Sequence, residues 1–302
     1  MILASLNLPS KKAKWAYCLR IAMSGELILI SMPIGNSLDI SLRALNTIKE
    51  LSVIYAEDTR VFKEQLKAWD ISYQDKIIDS FFDHSEHKIE KIKAQLSEGI
   101  NIGLVSDAGS PMISDPAYML IKELADSGPF KLNTIPGASA VTTALELSCL
   151  PPIPYHFWGF LPRAHQERKQ FFQGAHQVYG THLCFEAPHR IEDSLRDFFE
   201  LYPEREVVLA KELTKKFQTV VKINRQDLDS LENKVMIKGE FVFMFASDEL
   251  PLKNSSGDLT EQKKLIEEYL KSDQKPKKLA KLLSSFSGIS AHEIYEQMSQ
   301  RK

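Results

Sequence analysis

The sequence predicts an α/β fold, and three features carry that expectation. From residue 26 onward, short apolar runs alternate with longer stretches of helical period, the pattern of βα units around a mostly parallel sheet. The segment Leu150-Pro151-Pro152-Ile153-Pro154 cannot continue a helix and reads as a linker between two such halves. Several strand ends are rich in Gly, Ala, Ser and Pro, residues that let a backbone approach a ligand. The expected organisation is a basic leader over 1–24, an α/β domain over 25–150, a second over 151–250 and a small helical domain over 259–302.

Leu27-Ile28-Leu29-Ile30 is the first buried strand, ended by Pro33 and Gly35. Asp39 is placed to cap a helix whose apolar positions Ile40, Leu42, Leu45, Ile48 and Leu51 recur near 3.6-residue spacing. Val53-Ile54-Tyr55-Ala56 is the next strand. A helix over about 86–97, a strand over 101–105, a helix from about Pro116, a strand ending at Ile135 and a helix over 138–149 complete the first half. In the second half, strands are expected near 155–160, 181–185, 206–210, 218–223 and 241–245. The close succession of the later ones suggests antiparallel pairs in a mixed sheet. After the polar stretch 253–258 come three short helical patterns, the last capped by Ser290 with Glu293 at the capping-box position.

With 302 residues, 43% hydrophobic and 26% charged, the chain has the composition of an ordinary globular protein, and no apolar run approaches the ~18 residues of a membrane span. Cys18, Cys149 and Cys184 are widely separated and odd in number. Reduced, core-filling thiols in a cytoplasmic protein are expected, rather than disulfides or metal ligands. The net charge of −2 is unevenly spread: 1–24 carries +4, 260–302 carries +3, and the body between carries −9. An acidic body argues against indiscriminate binding to phosphate backbones and confines any RNA contact to local patches. The leader lacks the apolar core of a signal peptide, and Met23 is expected to be the natural start.

Four loops at strand ends concentrate the small residues: 32–36, 106–111 running into 113–116, 135–140, and 159–163. Such loops leave the backbone open for a flat adenosyl group to pack on and hydrogen-bond to. Taken singly, each is an ordinary turn. No G-x-G-x-x-G follows the first strand and no G-x-x-x-x-G-K-[ST] occurs, which lowers the case for a dinucleotide or triphosphate ligand.

Taken in order, the loops carry a more specific pattern. Pro33-Ile34-Gly35-Asn36 with Asp39-Ile40-Ser41-Leu42-Arg43-Ala44-Leu45 comes first, followed by Glu57-Asp58-Thr59-Arg60, Ser106-Asp107-Ala108-Gly109 with Ile113-Ser114-Asp115-Pro116, and Pro136-Gly137 with Ser139-Ala140. Then come Gly159-Phe160-Leu161-Pro162-Arg163, Glu186 with Pro188-His189-Arg190, Glu212-Leu213-Thr214-Lys215 and Gly239-Glu240-Phe241. Over residues 26–246 this set resembles the ribosomal RNA small subunit methyltransferase I family, a branch of the tetrapyrrole methylase superfamily. The resemblance implies two α/β domains with S-adenosylmethionine between them, and 2′-O-methylation of a decoding-region cytidine in 16S rRNA within the 30S subunit. It also implies a homodimer; no membrane partner is expected, for want of an apolar run of spanning length. The final helices are similar to that family's small C-terminal domain. The chain departs from the pattern at Met32, Met112, Ala117, Ala138 and Ala187. Met112 is the bulkiest departure: it either narrows the cofactor pocket or points away.

The cofactor residues implied are Pro33, Gly35, Asn36, Asp107, Ala108, Gly109, Ser110, Pro136, Gly137, Ala138, Ser139 and Phe160. Asp107 is read either as a holder of the cofactor's amino-acid part or as a loop cap. A ribose hydroxyl is scarcely ionised near neutrality and needs a positioned base. Glu57, Asp58 and Lys211 are the candidates, with Glu212 and Lys215 nearby in the same reading. Glu57, Asp58 and Arg60 could equally form a structural ion-pair network. Arg60, Arg163 and Arg190 are read as ribose or phosphate holders. The run Arg163, His165, Arg168 and Lys169 is read as an RNA contact or a solvated helix start, and Lys275, Lys277, Lys278 and Lys281 likewise. His84 and His87 are surface or cap residues rather than metal ligands. Phe81, Phe82, Phe157, Trp158 and Phe160 are expected in the core, with base stacking as the alternative. A small-molecule methylase of the same superfamily and a non-catalytic cofactor-binding module are the competing functions.

Overall fold

A computed structural model describes residues 24–81, 86–113, 117–127 and 130–247, together with 292, 295 and 296. The leader, Phe82, His84, Pro116 and the expected C-terminal helices with their lysines lie outside the described residues. The described residues from 24 to 247 form one compact unit.

The first half runs β1 (Glu26–Ile30), α1 (Leu42–Glu50), β2 (Val53–Ala56), α2 (Thr59–Ala68), β3 (Ile77–Ser80), α3 (Glu86–Ser97), β4 (Ile102–Val105), α4 (Ala117–Ser127), β5 (Lys131–Ile135) and α5 (Ala140–Ser148). The strands form a parallel sheet in the order β3-β2-β4-β1-β5. Strand alternation sends Leu27 and Leu29 to one face, against Ile92 and Leu120 of α3 and α4. Ile28 and Ile30 go to the other, against Ile48 and Phe62 of α1 and α2. Burial on both faces is why β1 and β2 read as unbroken apolar runs.

Asp39 does not cap α1. The side chain of Asn36 accepts from the Leu38 N–H and starts a short 3₁₀ turn over Ser37–Asp39. Ser41 then accepts from the Ala44 N–H at 3.1 Å and begins the helix two residues later than expected.

The second half runs β6 (Tyr155–Phe160), α6 (His165–His176), β7 (Gly180–Glu186), α7 (Ile191–Leu201), β8 (Val207–Lys211), β9 (Thr219–Ile223), α8 (Leu231–Lys234) and β10 (Phe241–Ser247). Its sheet has the order β6-β7-β10-β8-β9, with β6 and β7 parallel and the remaining pairs antiparallel. One face packs on α6 and α7 through an aromatic cluster that includes Phe172, Phe198, Phe243 and Phe245. The other face, with Leu183, Val208, Ala210, Val242 and Met244, is covered by Ile34 and by Val141, Ala144 and Leu145 of α5. The last helix of the first half thus completes the core of the second, and that shared apolar layer is what fuses the two sheets into one unit.

Cys184 is buried in the aromatic core, and burial pushes its thiol well above the ordinary range. Cys149 does not fill the core: it is exposed, ending α5 in the left-handed conformation at φ 57°. No helix among the described residues is long and apolar enough to cross a membrane.

Candidate functional site

The carboxyl ends of the parallel strands in the first sheet point toward the second sheet, and their loops are tied together by backbone bonds. Met32, after β1, and Gly109, after β4, exchange N–H···O bonds of 2.7 and 3.0 Å. Met32 is itself fully buried, so this departure from the family pattern is a core side chain. Between these loops and the second sheet lies a cavity of about 440 Å³, within the range of sites that enclose a small organic ligand.

From the first half the cavity takes Ile34, Glu57, Asp107, Ala108, Gly109, Ser110, Ile113, Ser139, Ala140 and Val141. From the second it takes Phe160, Phe185, Glu186, Ala187, Pro188, Leu213 and residues 239–242. Of the twelve cofactor residues expected, the structure brings six to the wall: Asp107, Ala108, Gly109, Ser110, Ser139 and Phe160. Pro33, Gly35, Asn36, Pro136, Gly137 and Ala138 are not lining residues. Pro33 is buried, and Asn36 is occupied as the cap described above. A Cβ on Gly35 would lie 2.7 Å from the Leu213 carbonyl and 2.8 Å from the Thr214 hydroxyl, so glycine there serves close approach between the halves. The Asn36 N–H donates to that same hydroxyl at 3.0 Å. Gly137 presses on Ser31, behind the site. Met112 is 36% exposed and does not line the cavity, so it points away from the pocket.

Three carboxylates cluster at one wall. The Asp107 N–H donates to Glu57 Oε2 at 3.0 Å, and the Asp58 N–H donates to Asp107 Oδ1 at 3.0 Å. Gln65 on α2 donates to the Asp107 carbonyl at 3.1 Å. Asp58 is turned the other way: it caps α2 and takes a fork from Arg60, at 3.1 Å from Nε and 2.6 Å from Nη2. That guanidinium holds the Asp58 carboxyl down at about 2. Burial raises Asp107 above the ordinary range. The Asp58 N–H opposes that rise, and the neighbouring carboxylates of Glu57 and Asp58 add to it. Among the described residues no hydrogen bond reaches Glu57 Oε1 or Asp107 Oδ2, and both residues line the cavity.

The other expected polar residues divide differently. Lys211 is only 5% exposed and is not a lining residue. It follows Val207 and Leu209, which face the α6/α7 core, so strand alternation turns it away from the cleft. Arg190 is committed inside the protein: it donates to Glu186 at 2.7 Å and to the Leu161 carbonyl at 2.6 Å. Glu186 is saturated further by Ser194 Oγ and the Ala187 N–H. Arg168, expected in an RNA-facing run, is instead buried against Asp197 at 2.6 Å, and Lys169 pairs with Glu200 at 2.5 Å. Their charges are answered within the second half, which is why that run is not a free basic patch. Arg163 and His165 stay exposed, the latter also paired with Asp197. Arg60 has 87% of its side chain exposed. Glu212 and Lys215 lock the 212–215 and 239–240 loops together: Glu212 accepts from the Glu240 N–H at 3.0 Å, and Lys215 bridges Glu212 and Glu240. No cluster of three metal-ligating side chains occurs among the described residues.

The cavity therefore offers apolar walls from Ile34, Ile113, Phe160, Phe185, Leu213 and Val242, with two carboxylates at one side. It also offers the amino end of α5, where Ser139 makes no side-chain cap and the first-turn N–H groups are open to an anion. A ligand with a flat ring, a cationic centre and a carboxylate matches that set. Phe185, Leu213 and residues 239–242 also line the cavity, although the sequence assigns them no role there. Nothing local in their sequence shows that they cap a cavity built by the other half.

A model of the tetrapyrrole (corrin/porphyrin) methylases matches residues 26–229. The chain is 36% identical to a ribosomal RNA small subunit methyltransferase I of Streptococcus pyogenes over 91% of this chain and 94% of that one. To the protein of the same name from Bacillus subtilis it is 32% identical over 90% and 93%. Among solved structures, a diphthine synthase superposes with a TM-score of 0.59 at 16% identity, covering 75% of this chain and 91% of the other, a likeness of fold.

Proposed function

The chain belongs to the tetrapyrrole methylase family, in the branch of the ribosomal RNA small subunit methyltransferases I, and from that premise we propose that it methylates the 2′-hydroxyl of a decoding-region cytidine in 16S rRNA. The observation that carries the reading is the convergence of strand-end loops from both sheets on one cavity that pairs apolar walls with two open carboxylates. S-adenosylmethionine fits it by class, having an adenine for the apolar walls, a sulfonium for the acidic side and a carboxylate for the end of α5. When bound, it supplies an electrophilic methyl group. The protein's own share is alignment and proton removal. Asp107 is the proton acceptor of choice: Oδ1 is held by the Asp58 N–H, Oδ2 is open, and burial makes it more basic than an ordinary aspartate. Glu57 fixes the loop through the Asp107 N–H. Asp58, held by Arg60, is too weak a base for the role.

The substrate is taken to be the rRNA of the 30S subunit in the cytoplasm, and a second copy of the chain is the expected partner. The test is transfer of labelled methyl groups to 30S subunits stripped of the modification, with 2′-O-methylcytidine identified after digestion. Label in a free tetrapyrrole and none in rRNA would overturn the reading.

A further inference from the structure

We propose that Phe160 is the platform on which the base of the target nucleotide stacks, held in position by Arg168 and Arg190; this rests on the rRNA reading above. His156 and Trp158 of β6 share one side of the strand, with Trp158 edge-on to Phe171 of α6 at 5.8 Å. An uninterrupted strand would send Phe160 the same way. The register instead shifts between Phe157 and Phe160, and Gly159 takes φ +73°, the geometry of a bulge that re-aims the next side chain. Phe160 therefore lands on the cleft side with Phe157. Both rings meet Phe185 edge-on, at 5.5 and 4.8 Å.

The ring of Phe160 lines the cavity yet remains 61% exposed. Behind it, three successive carbonyls are pinned by two arginines, Arg168 buried and Arg190 partly buried. Arg190 donates to Leu161 O at 2.6 Å, and Arg168 donates to Pro162 O at 3.3 Å and Arg163 O at 3.2 Å. Each fork is itself anchored on a buried carboxylate, Glu186 or Asp197. A large open ring on a rigid loop offers contact area with little ordering cost on binding. The occupant follows from the substrate. A ribose hydroxyl brought into this cavity carries its base out of the RNA stack, and an unstacked base is recognised by stacking on an aromatic ring. Arg168 and Arg190 are then positioning residues, acting through the loop.

The test compares full-length wild type, Phe160→Ala, Phe160→Trp and Arg190→Lys, with 30S subunits as substrate and S-adenosylhomocysteine binding measured by calorimetry. Loss of one stacked base corresponds to about 5- to 160-fold. Phe160→Ala is expected to raise KM for the subunit within that range, and by a larger factor than it weakens S-adenosylhomocysteine binding. Phe160→Trp is expected to restore KM. Arg190→Lys, which keeps a cation beside Glu186 but cannot reach Leu161 O in the same geometry, is expected to raise KM in the same sense. If Phe160→Ala weakens S-adenosylhomocysteine binding in proportion and leaves KM for the subunit alone, the ring is a cofactor wall and the inference fails. Unchanged KM and unchanged affinity overturn it equally. A wild type that binds S-adenosylhomocysteine but labels no subunit overturns the functional reading first, and this inference with it.

Discussion

Three carboxylates meet at one loop cluster, and their hydrogen bonds divide the work. Asp58 is held at about 2 by Arg60 while burial raises Asp107 above the ordinary range, so of these two Asp107 is the stronger base. A base must be ionised to act, so turnover should fall as pH drops through a value above the ordinary aspartate range. Asp107→Asn should lower kcat by about 10²–10⁴-fold and remove that acidic limb. A pH–rate profile unchanged by the substitution would move the role elsewhere. Arg190 illustrates the opposite case, a cation the sequence offered as a substrate holder. Removing it strands the fully buried Glu186, which costs about 3–5 kcal/mol. Arg190→Ala should therefore appear first as a lower denaturant midpoint, not as a change in the salt dependence of RNA binding. His182 provides a pH test of stability. Trp158 Nε1–H donates to its Nδ1 at 3.0 Å, which leaves the proton on Nε2 facing Val178 O at 2.9 Å, so the ring is neutral. Burial lowers it to about 4 from 6.5. A histidine depressed on folding stabilises fully above its unfolded value and loses that contribution as pH falls toward the folded one. Between pH 7 and 4.5 the wild type should lose roughly 2 kcal/mol that His182→Gln does not lose, as read from urea midpoints at both pH values.

At the scale of elements, the bulge in β6 decides which way an aromatic faces, and it depends on one residue. No heavy atom lies within 4 Å of a Cβ built on Gly159, so alanine there meets only the backbone penalty of φ +73°. Gly159→Ala should cost about 1–2 kcal/mol if the bulge persists. Should the strand straighten instead, KM for the RNA should rise as it does for Phe160→Ala. Hydrogen exchange across β6 separates these outcomes. The same strand shows where sequence reasoning reaches its limit. Its span was legible, but the facing of Phe160 was not, because period 2 is broken at an otherwise ordinary glycine. Unbroken apolar runs disclosed β1 and β2, whose two faces are both buried. They could not disclose β3, an edge strand with half-exposed Ile78 and Asp79, or α2, which buries only Phe62 and Leu66. Gly35 and Asn36 lay in a legible loop with an illegible partner, since Thr214 is 178 residues away. Lys211 was legible as a strand end, but its face was not: parity assigns it a side only once the face that α5 covers is known.

For the molecule as a whole, the decisive element is α5, which belongs in sequence to the first half and packs on the sheet of the second. A domain that borrows one wall of its core from its neighbour cannot lose that neighbour and keep its own apolar layer buried. The two sheets should therefore unfold in one step despite their separate hydrogen-bond ladders. Trp69, bonded to the Ser37 carbonyl at 3.1 Å, reports on the first half. Trp158, stacked at 6.0 Å on His182, reports on the second. Variants keeping one of these and replacing the other, together with Trp15, by Phe give each half its own fluorescence signal. The two urea transitions should coincide in midpoint and slope once each variant is referenced to its own circular dichroism curve. Leu145→Ala, in the shared layer, should lower both together by about 2–4 kcal/mol. Because the ligand cavity draws walls from both halves, S-adenosylhomocysteine should raise both midpoints equally, by an amount that grows with the logarithm of its concentration. A Trp69 transition that precedes the Trp158 transition, or a ligand that shifts only one of them, would mean that α5 adheres to the second sheet without coupling it to the first.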